Sequence, residues 1–262
     1  MMKTTPRTVW ITGAGSGIGE ALAAHYASLG DTVVISGRSM DKLAGVAEHH
    51  PGRIIPLSFD VTRDDHIEQT RQTLQSITPH LDLVILNAGS CEYIRAPELD
   101  TALFRRVMDT NYFGMINSIN VALPLLEAAP SRPHVAGVCS LAGFIGFPRA
   151  AAYGASKAAA AYLLNALRTD FGDLFDVTVI NPGFVDTPMT ARNRFPMPFL
   201  MSTEEAAKVI TTKLGRRPFS IHFPRRLTWI LRLLQLFQKP WYRHHMKKAD
   251  SQRRQKPSHE TT

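Results

Sequence analysis

Tyr153 and Lys157 stand four residues apart in AAYGASKAAAAYLLNALR. The alanines and leucines of that stretch predict a helix, where positions i and i+4 lie one above the other on a single face. The spacing therefore stacks a phenol against an ammonium. An unperturbed tyrosine titrates near ~10, and a neighbouring cation stabilises the phenolate and lowers that value. Such a pair can exchange a proton with a bound molecule. The same spacing is common on solvated helices, so its meaning depends on what else the chain carries.

Three further signals occur. TGAGSGIG, residues 12–19, follows the apolar run TVWI and precedes EALAAHYASLG. A strand, a glycine turn and a helix N-terminus together make an anion site, because backbone N–H groups and the helix dipole face the ligand. Gly13, Gly17 and Gly19 allow the close approach such a ligand needs, with Ser16 and Ile18 between them. Ser140 ends the apolar run HVAGVC, thirteen residues before Tyr153, where its hydroxyl can donate to an oxygen that the tyrosine also touches. Asn111 lies in a helical segment after the turn Asn87-Ala88-Gly89.

In this order the motifs resemble the short-chain dehydrogenase/reductase family, in its branch with one Rossmann domain per subunit, from Thr12 to about His222. The resemblance rests on TGxxxGxG at Thr12 to Gly19, Asp60-Val61 after the third strand and Asn87-Ala88-Gly89 after the fourth. It also rests on Asn111, Ser140, Tyr153 and Lys157 as the catalytic tetrad, and on Pro182-Gly183 with Thr187. Leu86 departs from the pattern, standing where the family usually has an asparagine, which puts a local turn contact in question.

The resemblance implies roles. Tyr153 is the general acid in reduction and the base in oxidation. Lys157 holds the nicotinamide ribose and lowers the phenol's pKa. Ser140 orients the substrate oxygen, and Asn111 holds a water linking Lys157 to solvent. Gly13, Ser16, Gly17, Ile18 and Gly19 serve the pyrophosphate, Asp60 and Val61 the adenine, and Asn87, Ala88 and Gly89 the adenosine ribose. Pro182, Gly183, Val185 and Thr187 serve the nicotinamide side. Members selective for NAD carry an acid at the end of the second strand, whereas VVISGRS has Gly37 there, followed by Arg38. A guanidinium suits a 2′-phosphate, so NADP(H) is the expected cofactor, with NAD(H) the lesser alternative.

The elements that must position these residues alternate. TVWIT, TVVIS, IIPLSF, LDLVIL, HVAGVC, DVTVI and FSIHF read as strands, with amphipathic helical stretches between them, one running unbroken from residue 101 to 129. Continuous apolar strands between helices indicate an α/β fold, a doubly wound parallel sheet covered on both faces (a Rossmann fold). The motifs then meet at the carboxyl edge of the sheet.

Composition agrees. A chain of 262 residues, 44% hydrophobic and 20% charged, can bury the core of a single domain. The N-terminus reaches its first strand at once, so secretion is not expected. Cys91 and Cys139 lack metal-ligand spacing and read as reduced packing residues, so no metal site is expected and a cytoplasmic setting is.

Two segments bear on the substrate. LAGFIGFP after Ser140 and RFPMPFLM at residues 194–201 carry Phe144, Ile145, Phe147, Phe195, Met197, Phe199 and Met201. They suit a lipophilic ketone or alcohol, and equally a lid or subunit contact in a homodimer or homotetramer. Arg149 and Arg192 are the only evident charged anchors, so a carboxylate or acyl-carrier substrate is less favoured, though open.

Residues 224–262 stand apart from residues 1–223. Lys and Arg number 10 there against two Asp and Glu, but 20 against 20 in the body, so the net charge of +8 resides in the tail. PRRLTWILRLLQLFQKPWYRHH predicts one amphipathic helix whose apolar stretch spans ~16 Å, short of the ~30 Å hydrocarbon core. Residues 225–243 could lie on an anionic membrane surface, the inner face of a membrane being the natural one, or dock on the protein and close the substrate pocket. The polar residues from Lys247 onward predict disorder. Nucleic-acid binding is not expected, because an apolar helix precedes the basic end. The reading is an oxidoreductase, a carbonyl reductase or alcohol dehydrogenase, and the alternative is a dinucleotide-binding scaffold that engages membrane or partner through the tail.

Overall fold

A computed structural model describes residues 6–96 and 98–254 of the chain. The apolar runs form strands β1 (Thr8–Thr12), β2 (Thr32–Gly37), β3 (Ile54–Ser58), β4 (Leu83–Leu86), β5 (His134–Val138), β6 (Asp176–Pro182) and β7 (Ser220–Phe223). They build one wholly parallel sheet in the order β3-β2-β1-β4-β5-β6-β7. The helices are α1 (Gly17–Ser28), α2 (Met40–Glu48), α3 (Ile67–Ile77), α4 (Thr101–Met108), α5 (Gly114–Glu127), α6 (Ala151–Asp170), α7 (Thr203–Leu214), α8 (Arg225–Leu236) and α9 (Gln238–Arg254).

Strand alternation feeds two cores. Val9 and Ile11 of β1 pack with Leu22 and Tyr26 of α1 and Ile210 of α7, while Trp10 between them faces Leu74, Leu125 and Leu164 on the other side. The strand order reverses between β1 and β4, which opens a crevice at their carboxyl ends. Helix α6 reaches that edge because β5 carries Gly137, where a Cβ would stand 2.3 Å from Leu164 Cδ1. A side chain there would force Leu164 of α6 to move aside.

Two expectations need correction. The stretch from residue 101 is broken by a π-helical turn at Asp109–Phe113, and Asn111 in that widened turn is wholly buried. The tail is two helices, because Phe237 leaves helical geometry at φ −118° and ψ 57°. The second runs on to Arg254, so helix occupies the first part of the segment expected to be disordered, and the rest of that segment, residues 255–262, lies outside the described residues.

His134 of β5 is buried with Nε2 2.8 Å from Thr178 Oγ1. Burial, assisted by the Arg217 charge and opposed by Asp176, holds its pKa down from 6.5 to about 4. The unfolded chain therefore binds the proton more readily, and stability present above pH 6.5 is lost as pH falls toward 4, by roughly 3 kcal/mol. Urea midpoints at neutral and acid pH should fall less steeply in a His134→Gln variant. An unchanged slope would acquit His134.

Candidate active site

Thr12, the last residue of β1, ties two turns together. Its Oγ1 accepts from the backbone N–H groups of Asn87 (3.1 Å) and Ala88 (3.2 Å), while Asn87 Nδ2 donates to Thr12 O (3.1 Å) and Gly13 O (2.9 Å). Gly13 sits at φ +66°, and a Cβ on it would stand 2.6 Å from Ala88 Cα, so only glycine fits. Leu86, in place of an asparagine, is buried in the core, and Asn87 with Thr12 makes the turn's polar contacts without it.

The glycine turn leads into α1. Ser16 stands at its N-cap with an exposed side chain that makes no capping bond, and Ile18 packs half-buried on the core. Gly17 faces Thr187: a Cβ there would lie 3.2 Å from Thr187 Cγ2, so the loop after β6 crosses in front of the turn. Thr187 N and Val185 O both bond the Thr190 hydroxyl, at 2.9 Å and 2.6 Å, which shapes that loop. Pro182 ends β6, and Gly183 N donates to Phe223 O at 2.7 Å. On the far side, Asn117 Nδ2 of α5 donates to Val61 O (2.9 Å), and Asp60 accepts from Thr62 N (3.0 Å). Arg38 is exposed directly after β2, and Lys42, which sequence reasoning missed, runs beside Gly15 with Cβ 3.2 Å from where a glycine Cβ would be.

The four chemical residues converge at the crevice. Lys157 is buried, donates Nζ to Val138 O at 2.9 Å, and lies 5.9 Å from the centroid of the Tyr153 ring. Gly89 leaves room for it: a Cβ there would be 3.2 Å from both Lys157 Nζ and Asn111 Oδ1. Asn111 Oδ1 accepts from Ser90 N (2.7 Å), and its Nδ2 donates to Ser90 O (2.9 Å) and Ser156 Oγ (2.8 Å). Ser156 in turn donates to Tyr153 O at 2.8 Å. Ser140 Oγ accepts from Ala142 N at 3.0 Å and lies near enough to the Tyr153 phenol to lower its pKa.

Electrostatics departs from the expectation for Tyr153. Loss of hydration pushes the phenol well above its ordinary 10.0, the Cys91 thiol adds to the rise, and the Ser140 hydrogen bond pulls it back. Lys157 Nζ, 5.9 Å from the ring centroid, gives its hydrogen bond to Val138 O and not to the phenol. Burial also lowers the pKa of Lys157 itself. Both Cys91 and Cys139 are free, and burial raises both thiols.

Ser90, Ser156 and Tyr93 were not singled out by sequence reasoning. Ser156 was within reach of it, three residues from Tyr153 on the same helix face. Ser90 acts through its backbone and leaves no side-chain signature. Tyr93 donates to Asn193 Oδ1 at 3.0 Å and meets the Phe195 ring edge-on at 6.0 Å between centroids.

The tail docks on its own subunit. Leu227 and Leu231 of α8 pack on Leu141 and Ile145 in a third core, with Phe144, Phe147, Phe184 and Trp241 around them. Gln235 Nε2 donates to Phe144 O (2.7 Å) and Trp241 Nε1 to Gly146 O (3.0 Å), while Tyr242 Oη accepts from Gly146 N (3.2 Å). The apolar loop after Ser140 thus packs against α8 and α9. A second face of α8, with Trp229, Ile230, Leu233 and Leu236, stays exposed, as does Phe237 beyond it. Among the described residues no helix is long and apolar enough to cross a membrane.

Known proteins share this arrangement. The sequence profile of the family described as short chain dehydrogenase matches residues 7–196. An uncharacterized oxidoreductase of Myxococcus xanthus is 35% identical over 246 residues, covering 92% of this chain and 97% of its own. Among solved structures, a Burkholderia phymatum short chain dehydrogenase/reductase in complex with NAD superposes with a TM-score of 0.80 at 21% identity, over 89% of this chain and 94% of that one. A Burkholderia cenocepacia short chain dehydrogenase in complex with NADP gives 0.79 at 23% identity, over 93% and 98%.

Proposed function

The chain belongs to the short-chain dehydrogenase family of oxidoreductases, and from that premise we propose that it interconverts a lipophilic ketone and its secondary alcohol with NADP(H). The carrying observation is the Tyr153 phenol and Ser140 brought together beside a buried Lys157, at the edge where the glycine turn opens. The residues present fit such a cofactor: the Gly13 turn has room only for backbone, the uncapped Ser16 heads α1, and Lys157 Nζ stands against the Cβ-free side of Gly89. Backbone N–H groups there suit a pyrophosphate. Bound NADP(H) supplies or accepts the hydride.

The chain's own residues do the rest. Ser140 donates to the substrate oxygen and orients it, and Tyr153 gives that oxygen its proton in reduction. A phenol held above its ordinary pKa stays protonated at neutral pH, the form reduction requires. In oxidation the same phenol must lose its proton first. Lys157 holds the ribose, and Asn111, through Ser156 and Ser90, fixes the π-helical turn that faces it. One Oδ1 lone pair of Asn111 is taken by Ser90, and the other suits the expected water. Arg38, with Lys42 nearby, would meet the 2′-phosphate. The rings of Phe184 and Phe195, 6.1 Å apart, would line the apolar side of the substrate.

With NADPH and ketones of increasing chain length, Tyr153→Phe should lower turnover by roughly a hundredfold or more while NADPH still binds. Lys157→Ala should weaken both. Near-normal turnover by the phenylalanine variant would end the assignment, and inactivity of the wild type across the series would favour the scaffold alternative.

Cofactor titration should show NADPH bound more tightly than NADH. Arg38→Ala should lower NADPH affinity about tenfold and leave NADH unchanged. Equal wild-type affinities would sink the preference.

We also propose that the exposed face of α8 rests on an anionic membrane surface, its aromatic and aliphatic residues at headgroup depth and Arg225 and Arg226 beside them. Full-length protein should sediment with anionic vesicles more than with neutral ones, less so in high salt, and less again after Trp229→Gln and Leu233→Gln. Indifference to both vesicle types would refute it.

A further inference from the structure

Beside the active site a cavity of about 440 Å³ is lined by Arg95, Arg149, Arg192 and Arg194 together with Tyr93 and Phe195. None of its lining residues is an aspartate or glutamate. Six arginines elsewhere, Arg7, Arg63, Arg71, Arg106, Arg132 and Arg217, each pair with a carboxylate and, among the described residues, others such as Arg38 and Arg105 do not, but only here do four line one volume. The four cavity arginines make no ion pair among the described residues; Arg149 reaches only Ile94 O, at 3.4 Å. Four guanidiniums around one volume repel each other, and an anion in their midst would reverse the sign of that interaction.

Arg149 is also held in an unusual backbone state. Its φ is +65°, left-handed for a residue with a side chain, and costs about 1 kcal/mol or more. Its carbonyl accepts from Ile94 N at 2.9 Å, and its guanidinium lies 5.7 Å from the centroid of the Tyr93 ring. The strained geometry aims a cation into the cavity from the residue pair that leads into α6, the helix carrying Tyr153 in its first turn. Arg149, in the cavity wall, stands four residues before Tyr153, so the cavity lies beside the start of the helix that carries the phenol.

We propose that this cavity binds an anionic group, a carboxylate or a phosphate, carried by the substrate away from its carbonyl, so that the substrate is an amphiphile rather than a neutral lipid. This rests on the ketone–alcohol reading above and refines it. A planar fork of N–H donors matches either anion in a bidentate way. Phe195 and Tyr93 would hold the chain that connects the anion to the carbonyl.

The test separates the two readings. Decanoate, decyl phosphate and methyl decanoate are titrated calorimetrically into full-length protein with NADP present, and oxodecanoate and its methyl ester are compared for turnover with NADPH. The anions should bind at least about tenfold more tightly than the ester. That preference should shrink as salt rises. It should also fall by roughly tenfold in an Arg95→Gln, Arg192→Gln double variant that still binds NADPH like the wild type. The stronger of decanoate and decyl phosphate identifies the natural anion. Arg192→Lys, which keeps the charge and loses the fork, should retain part of the preference. Equal affinity for acid and ester, no binding of either, or full retention by the double variant would overturn the anion site. Equal turnover of oxodecanoate and its ester would do the same while leaving hydride transfer intact. Arginine-dependent anion binding with no turnover of either ketone would instead overturn the chemistry and leave the site standing.

Discussion

The hydrogen bonds between Thr12 and the Asn87–Ala88 turn are the constraint on which the site depends. They span the point where the strand order reverses, between β1 and β4, and join by side chain what the sheet joins only by backbone. Loops on the two sides of a switch point otherwise diverge. Here one threonine hydroxyl accepts from two consecutive amides, and one asparagine amide donates to two consecutive carbonyls. The glycine turn is pinned to the chain that leads to Gly89, and Gly89 gives Lys157 and Asn111 their space. An error in that corner would reach the lysine through only a few covalent bonds.

A second chain of contacts reaches Tyr153 from below. Asn111 bonds Ser156, Ser156 bonds the Tyr153 carbonyl, and α6 as a whole is seated by the absence of a side chain at Gly137. The phenol is therefore located by its helix, and its proton affinity by burial. Desolvation is the largest influence on it, and the neighbouring ammonium gives its bond to Val138 O.

Much of this was legible in the sequence and some was not. The seven strands, the parallel sheet and the convergence of glycine turn, Ser140, Tyr153 and Lys157 follow from apolar runs and motif order, which are local signals. The π-helical turn at Asn111 was hidden because helical periodicity does not register one extra residue in a turn. The break at Phe237 was hidden for a related reason: leucines continue on both sides of it, and the break is decided by where Trp241 and Tyr242 find Gly146. The rise in the Tyr153 pKa was not legible because sequence spacing shows that a cation is near but not how deeply the phenol is buried. Arg95 escaped notice because it becomes a neighbour of Arg149 and Arg192 only when distant loops meet, and Arg194 because an exposed loop arginine carries no signal of its own.

The third core, where Leu227 and Leu231 meet Leu141 and Ile145, shares no residue with the two cores that cover the sheet. Its consequence is evolutionary. The parts proposed to handle the dinucleotide and the proton are bolted to the sheet, while the wall proposed to face the substrate is assembled from a loop and a terminal helix that share a core of their own. Drift in that wall, or replacement of the whole terminal segment, can change what enters the crevice without disturbing the machinery beneath. A lineage built this way can explore new substrates at constant chemistry, and relatives should diverge fastest from residue 141 to 149 and beyond residue 190.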